Sequence, residues 1–124
     1  MESRVLLLVA VGGAFGAAAR YAVSELFPGD FPWGTLSVNL LGSLMLGILM
    51  GASISTGRIS PEMMLFLGVG VLGAFTTMST FSIDIVQQFE NGLQAPLLCY
   101  IGANMVACPL LAFGGWRLAA LLLA

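Results

Sequence analysis

Apolar residues in this chain gather into four long stretches, at 5–26, 33–52, 63–87 and 97–123. Each is close to the roughly 20 residues that carry a helix across a hydrocarbon core. Between them lie three short connectors, PGDFP at 28–32, SISTGRISPE at 53–62 and FENGLQAP at 89–96, which hold turn formers and the charged residues Asp30, Arg58, Glu62 and Glu90. No stretch alternates apolar and polar positions as a barrel strand would, and open strand edges cannot lie in lipid, so helices are the spanning element. The pattern predicts an all-α membrane protein with four transmembrane helices, one four-span unit over residues 1–124, and no soluble domain.

Composition supports the membrane as solvent. The 124 residues are 59% hydrophobic and 8% charged, against about 25% charged in soluble domains; a water-soluble fold this short would leave large apolar patches exposed. Four basic residues and a net charge of -2 leave no footprint for nucleic acid. Cys99 and Cys108 fall in the last stretch and read as small apolar side chains rather than a disulfide framework. Arg20 and Tyr21 follow Gly16 and three alanines with no polar domain behind them, so the first stretch reads as a retained span rather than a cleaved leader. Arg4, Arg58 and Arg117 share one side of a four-span chain and Arg20 lies toward the other, a bias that places both termini in the cytoplasm, with mixed orientation left open.

Small residues recur at helical spacing, Gly12 with Gly16 and Ser43 with Gly47 and Gly51, which predicts close helix packing. A bundle of four helices fills its own centre with side chains, so a water-lined route calls for a partner subunit.

Polar groups at membrane depth are expensive and are therefore the candidate functional residues. Arg20 near the end of the first span reads as structural, snorkelling or capping helix carbonyls. Asn39 in the second span must find a partner for its amide, across helices or along a pore. Tyr100, Asn104 and Cys108 form one stripe on the fourth span, suited to a pore wall or to a neighbouring helix. Thr76, Thr77, Ser79, Thr80 and Ser82 put five hydroxyls in seven residues of the third span, after Gly68, Gly70 and Gly73. That density predicts a helix broken near mid-membrane, with freed carbonyls suited to a cation; the alternative is a helix merely bent by hydroxyls bonding back one turn.

The glycines 68, 70 and 73 also spell G-x-G-x-x-G, but a dinucleotide site needs a preceding strand and a soluble βαβ unit. With no histidine, no buried carboxylate pair and no nucleophile beside a base, an enzyme is not expected. No carboxylate stands at the centre of the first span, so a passive pathway suits the chain better than a proton-coupled exporter.

Three pieces, GGAFGAAARY at 12–21, GTLSVNLLGS at 34–43 and GVLGAFTTMSTFS at 70–82, lie in order on successive spans. Through them the chain resembles, over essentially its whole length, the small fluoride channels of the Fluc or CrcB family. The resemblance implies an antiparallel, dual-topology homodimer in the cell inner membrane that exports fluoride passively from the cytoplasm and so reduces its toxicity. It also implies a structural sodium ion at the dimer centre, held here by the backbone carbonyls of Gly73 and Thr76. Asn39 would line the pore, Phe81 would present its positive ring edge to the anion, and Ser79 and Thr80 would donate hydroxyls along a polar track beside Tyr100, Asn104 and Cys108. A narrow route whose donors replace fluoride's water would exclude chloride.

The chain departs from the family pattern at Met78, where TTFSTF has its first phenylalanine, and at Asn104 and Cys108, where relatives carry pore-facing serines. A thioether has no positive ring edge. Together with the arginine bias, these departures raise a second expectation, that the chain is one half of a heteromeric pair and non-conducting alone. A small proton-coupled exporter and a subunit without transport remain the other readings.

Overall fold

The computed structural model describes residues 1–124, all of them helical or in short connectors. Four helices are long and apolar enough to cross a membrane: Ser3–Glu25, Trp33–Thr56, Pro61–Glu90 and Gln94–Leu123. They match the four predicted stretches, extended by up to about a turn at their ends. The first two are the continuous helices α1 (Ser3–Glu25) and α2 (Trp33–Thr56). The third comprises α3 (Pro61–Met64), a π-helical segment Leu65–Leu72, α4 (Gly73–Phe75) and α5 (Met78–Glu90). The fourth comprises α6 (Gln94–Gly102), a π-helical segment Ala103–Ala107 and α7 (Cys108–Leu123).

Local chemistry sets several of these ends. The α2 helix stops where Gly57 takes φ 62° and its N–H bonds the Ser53 carbonyl at 3.0 Å, a left-handed cap that glycine adopts without a Cβ penalty. The third span starts at Ser60, whose hydroxyl accepts from the Met63 N–H at 3.2 Å, with Pro61 in the first turn and Glu62 at the positive helix end. Within the fourth span, Pro109 has no N–H to offer the carbonyl four residues back and its ring crowds that carbonyl, which accounts for the widened Ala103–Ala107 turn just before it.

The helices pack as two close pairs, α1 on the first half of the third span and α2 along α7. A Cβ on Gly12 would meet the Phe66 carbonyl oxygen at 2.5 Å and the Gly70 Cα at 3.1 Å, and one on Gly16 would strike the Val71 carbonyl. On the other pair, Gly47 and Gly51 lie against the backbone of Ala112 and Trp116, and a Cβ on Gly115 would meet the Leu44 carbonyl oxygen at 2.5 Å. The small residues singled out by spacing are thus where backbones meet, with one exception: Ser43 borders a cavity. In lipid, such close approach supplies dispersion contacts that apolar burial cannot, because the solvent is equally apolar. Leu36, Phe81 and Tyr100 form the buried apolar cluster where α2, α5 and α6 converge.

Candidate functional site

Between α4 and α5 the backbone leaves the helix. Thr76 has φ -84°, ψ 157° and Thr77 φ -151°, ψ 122°, both extended, and α5 resumes at Met78 with Thr77 as its N-cap. Two side chains hold this link open. The Thr77 N–H, which in a continuous helix would bond the Gly73 carbonyl, donates to Asn39 Oδ1 at 2.9 Å. The Thr80 N–H, which would bond the Thr76 carbonyl, donates to Thr77 Oγ1 at 3.1 Å. The carbonyls of Gly73 and Thr76 therefore lose their helical donors to neighbouring side chains. Between them, the Ala74 carbonyl accepts from Arg20 Nε at 3.0 Å. Arg20 thus meets a helix carbonyl near the middle of the third span.

Asn39 uses both ends of its amide here. While Oδ1 accepts from Thr77, Nδ2 donates to the Thr77 carbonyl at 3.2 Å and to Asn104 Oδ1 at 2.9 Å. Asn104 in turn donates to the Tyr100 carbonyl at 3.0 Å from within the π-helical turn. One amide on α2 thereby ties the extended link of the third span to the widened turn of the fourth.

Beside this node lies a cavity of about 240 Å3. Asn39, Thr76, Thr77, Met78, Phe81, Asn104 and Cys108 border it, together with Gly42, Ser43, Leu46 and Met105. Its wall carries amides, hydroxyls, sulfur and one aromatic ring, but no carboxylate or basic group. The N-terminus of α5, with its positive dipole end and first N–H groups, opens at the same place.

Not every residue read from the sequence meets on this wall. Ser79 is exposed and Thr80 half-buried, and both join the hydroxyl cluster around Thr77, at 3.4 and 3.2 Å respectively, outside the cavity lining. Tyr100 is fully buried behind Phe81, with ring centroids 5.3 Å apart in an edge-on arrangement, and its hydroxyl donates to Asp84 Oδ2 at 2.6 Å. The Tyr100, Asn104, Cys108 stripe is thus split, with the last two at the cavity and the first in the packed cluster below. Asp84 escaped sequence reasoning because it lies among apolar residues near the end of its stretch; a carboxylate inside a span was the available signal. Gln88, one turn on, is buried to 2% exposure with no partner for its Oε1.

For a cation, the relevant donors are the two carbonyls released from the helix. Hard cations favour carbonyl oxygen, and the chain gathers no three His, Cys, Asp or Glu residues into a metal-holding group. The carbonyls of Gly73 and Thr76 have the right chemistry to contribute to a sodium site and are too few to complete one within a single chain.

Four helices long and apolar enough to cross a membrane, three of which border an uncharged cavity of amides and hydroxyls, define a polytopic membrane protein of the channel class. Residues 7–116 match the family described as "CrcB-like protein, Camphor Resistance (CrcB)", and the chain belongs to that family. Among similar proteins, one from Agrobacterium fabrum (strain C58 / ATCC 33970) is 44% identical, with 91% of this chain and 94% of that protein aligned. One from Anaeromyxobacter sp. (strain K) is 43% identical over 87% of this chain and 89% of its own. One from Thermus thermophilus is 42% identical over 90% and 92%. Each of the three is named "Fluoride-specific ion channel FluC".

Proposed function

We propose that this chain is a subunit of a passive, fluoride-selective channel that exports fluoride from the cytoplasm across the cell inner membrane and so limits its toxicity. The observation that carries this reading is the cavity at the α5 N-terminus, bordered by Asn39, Thr77, Phe81 and Asn104 and by no full charge. Neutral donors can replace part of an anion's hydration yet release it, which conduction requires; a fixed arginine or lysine would hold fluoride too firmly. The names of the relatives support the same anion.

In this reading Asn39, whose two amide hydrogens go to the Thr77 carbonyl and Asn104 Oδ1, frames the wall of the anion's route and Phe81 offers it a ring edge, while Ser79, Thr80 and Tyr100 shape the polar track behind them. The third span is broken at membrane depth so that α5 can point its N-terminus inward. The subunit pairs with a second, antiparallel copy, and sodium at the centre of the pair takes the Gly73 and Thr76 carbonyls of each, neutralising carbonyl dipoles that would otherwise face one another.

The departure at Met78, 64% exposed beside the cavity, favours a second reading, a heteromeric pair in which a related subunit supplies the missing ring. Efflux from liposomes with the pH clamped on both sides separates these possibilities. Passive conduction predicts fluoride flux down its own gradient, unaffected by the clamp. Flux that vanishes without a proton gradient would instead establish the exporter, for which Asp84 is the available ionisable group. Silence until a second subunit is added would establish the heteromer.

A further inference from the structure

Three sulfur-bearing residues, Met78, Met105 and Cys108, border the same 240 Å3 cavity. They come from two different helices: Met78 opens α5, while Met105 and Cys108 stand one turn apart on the fourth span. Cys108 is a free, half-buried thiol. Met78 and Met105 are 64% and 50% exposed, so neither is consumed in packing the core of this chain. The remaining polar wall is neutral amide and hydroxyl, with no imidazole or carboxylate for a harder ion.

We propose that this cavity is a binding site for a soft monovalent cation, silver(I) or copper(I), held by the Met78 and Met105 thioethers and the Cys108 thiolate. Thioether and thiolate donors select such ions over hard ones, and methionine side chains are flexible enough to close on an ion. Binding forms a metal–sulfur bond at Cys108 with release of the thiol proton to solvent, and no electron is transferred. The resulting complex is neutral, one cation against one thiolate, so no net charge is left in a low-dielectric site. Occupancy would plug the cavity. That block of fluoride flux rests on the proposed conduction, whereas the binding does not.

The probe is silver nitrate, titrated calorimetrically into the full-length chain in detergent and chloride-free buffer, in a Cys99→Ser background that removes the exposed thiol. The site predicts one silver ion per chain with release of one proton. Cys108→Ser weakens binding at least 100-fold, and Met78→Leu or Met105→Leu at least tenfold each. Methionine-to-leucine exchange nearly conserves volume, and an unchanged size-exclusion profile confirms that those variants fold. No binding in the Cys99→Ser protein would overturn the site, as would binding that depends on Cys108 alone and ignores both methionines.

Discussion

The third and fourth spans both depart from the α-helix beside the same asparagine, yet they do so in different ways. At Thr76 and Thr77 two residues go fully extended and side chains take over the N–H groups, so carbonyls are released. At Ala103–Ala107 every residue stays helical and the turn only widens ahead of Pro109. The first device creates a new helix N-terminus and frees acceptors from the helical ladder. The second only re-aims a side chain, swinging Asn104 toward Asn39. Opening the backbone makes a site, whereas widening a turn completes its wall.

The largest effect should follow from removing the residue that joins the two. Asn39→Ala strands the Thr77 N–H and the Asn104 Oδ1, at about 1–3 kcal/mol for each buried group left unpaired. The expected outcome is a lowered melting temperature in detergent and fluoride flux reduced more than tenfold. Stability near that of the unmodified chain would show that the two regions are independent.

Phe81→Ile should come next, reducing fluoride flux sharply while the oligomer on size-exclusion stays intact. Unchanged flux would remove this ring from the route and leave it as packing against Tyr100. At the extended link itself, Thr77→Val removes the α5 cap and should destabilise by about 1 kcal/mol, with Thr77→Ser restoring most of it, as read by thermal unfolding. The smallest effect belongs to the widened turn. Pro109→Ala lets the fourth span regain α-helical bonds, so stability should rise or hold while flux falls a fewfold as Asn104 rotates away. A large loss of stability there would mean that the turn is not imposed by the proline.

How far each region could be read from residues alone follows from the same contrast. Five hydroxyls in seven apolar-span positions are dense enough to mark the neighbourhood of Thr76 and Thr77 in the sequence, although Thr76 and Ser82 bond back one turn as hydroxyls in a plain helix would. Which acceptors hold it open did not, because Asn39 is 38 residues from Thr77 and only folding brings them together. The widened turn was overlooked although Pro109 was in plain sight, since a single proline in a span permits a kink, a bulge or nothing. The stripe of Tyr100, Asn104 and Cys108, suited by its spacing to a pore wall or a neighbouring helix, divides between the packed cluster and the cavity across the π-helical Ala103–Ala107 turn. Glycine spacing was the most legible feature of packing: Gly12, Gly16, Gly47 and Gly51 all lie where a Cβ would strike a neighbouring backbone. Asp84, a carboxylate inside a span, carried a signal, but its role depends on the Tyr100 hydroxyl it meets 16 residues away.

The central claim is that this chain conducts fluoride by itself through the cavity that Asn39 organises. The direct measurement is a fluoride-electrode recording of efflux from liposomes holding only the purified chain. The account predicts rapid, sustained fluoride efflux without a proton gradient, and negligible chloride efflux from matched vesicles. No fluoride efflux from active-looking, folded protein, or equal passage of chloride, would contradict it.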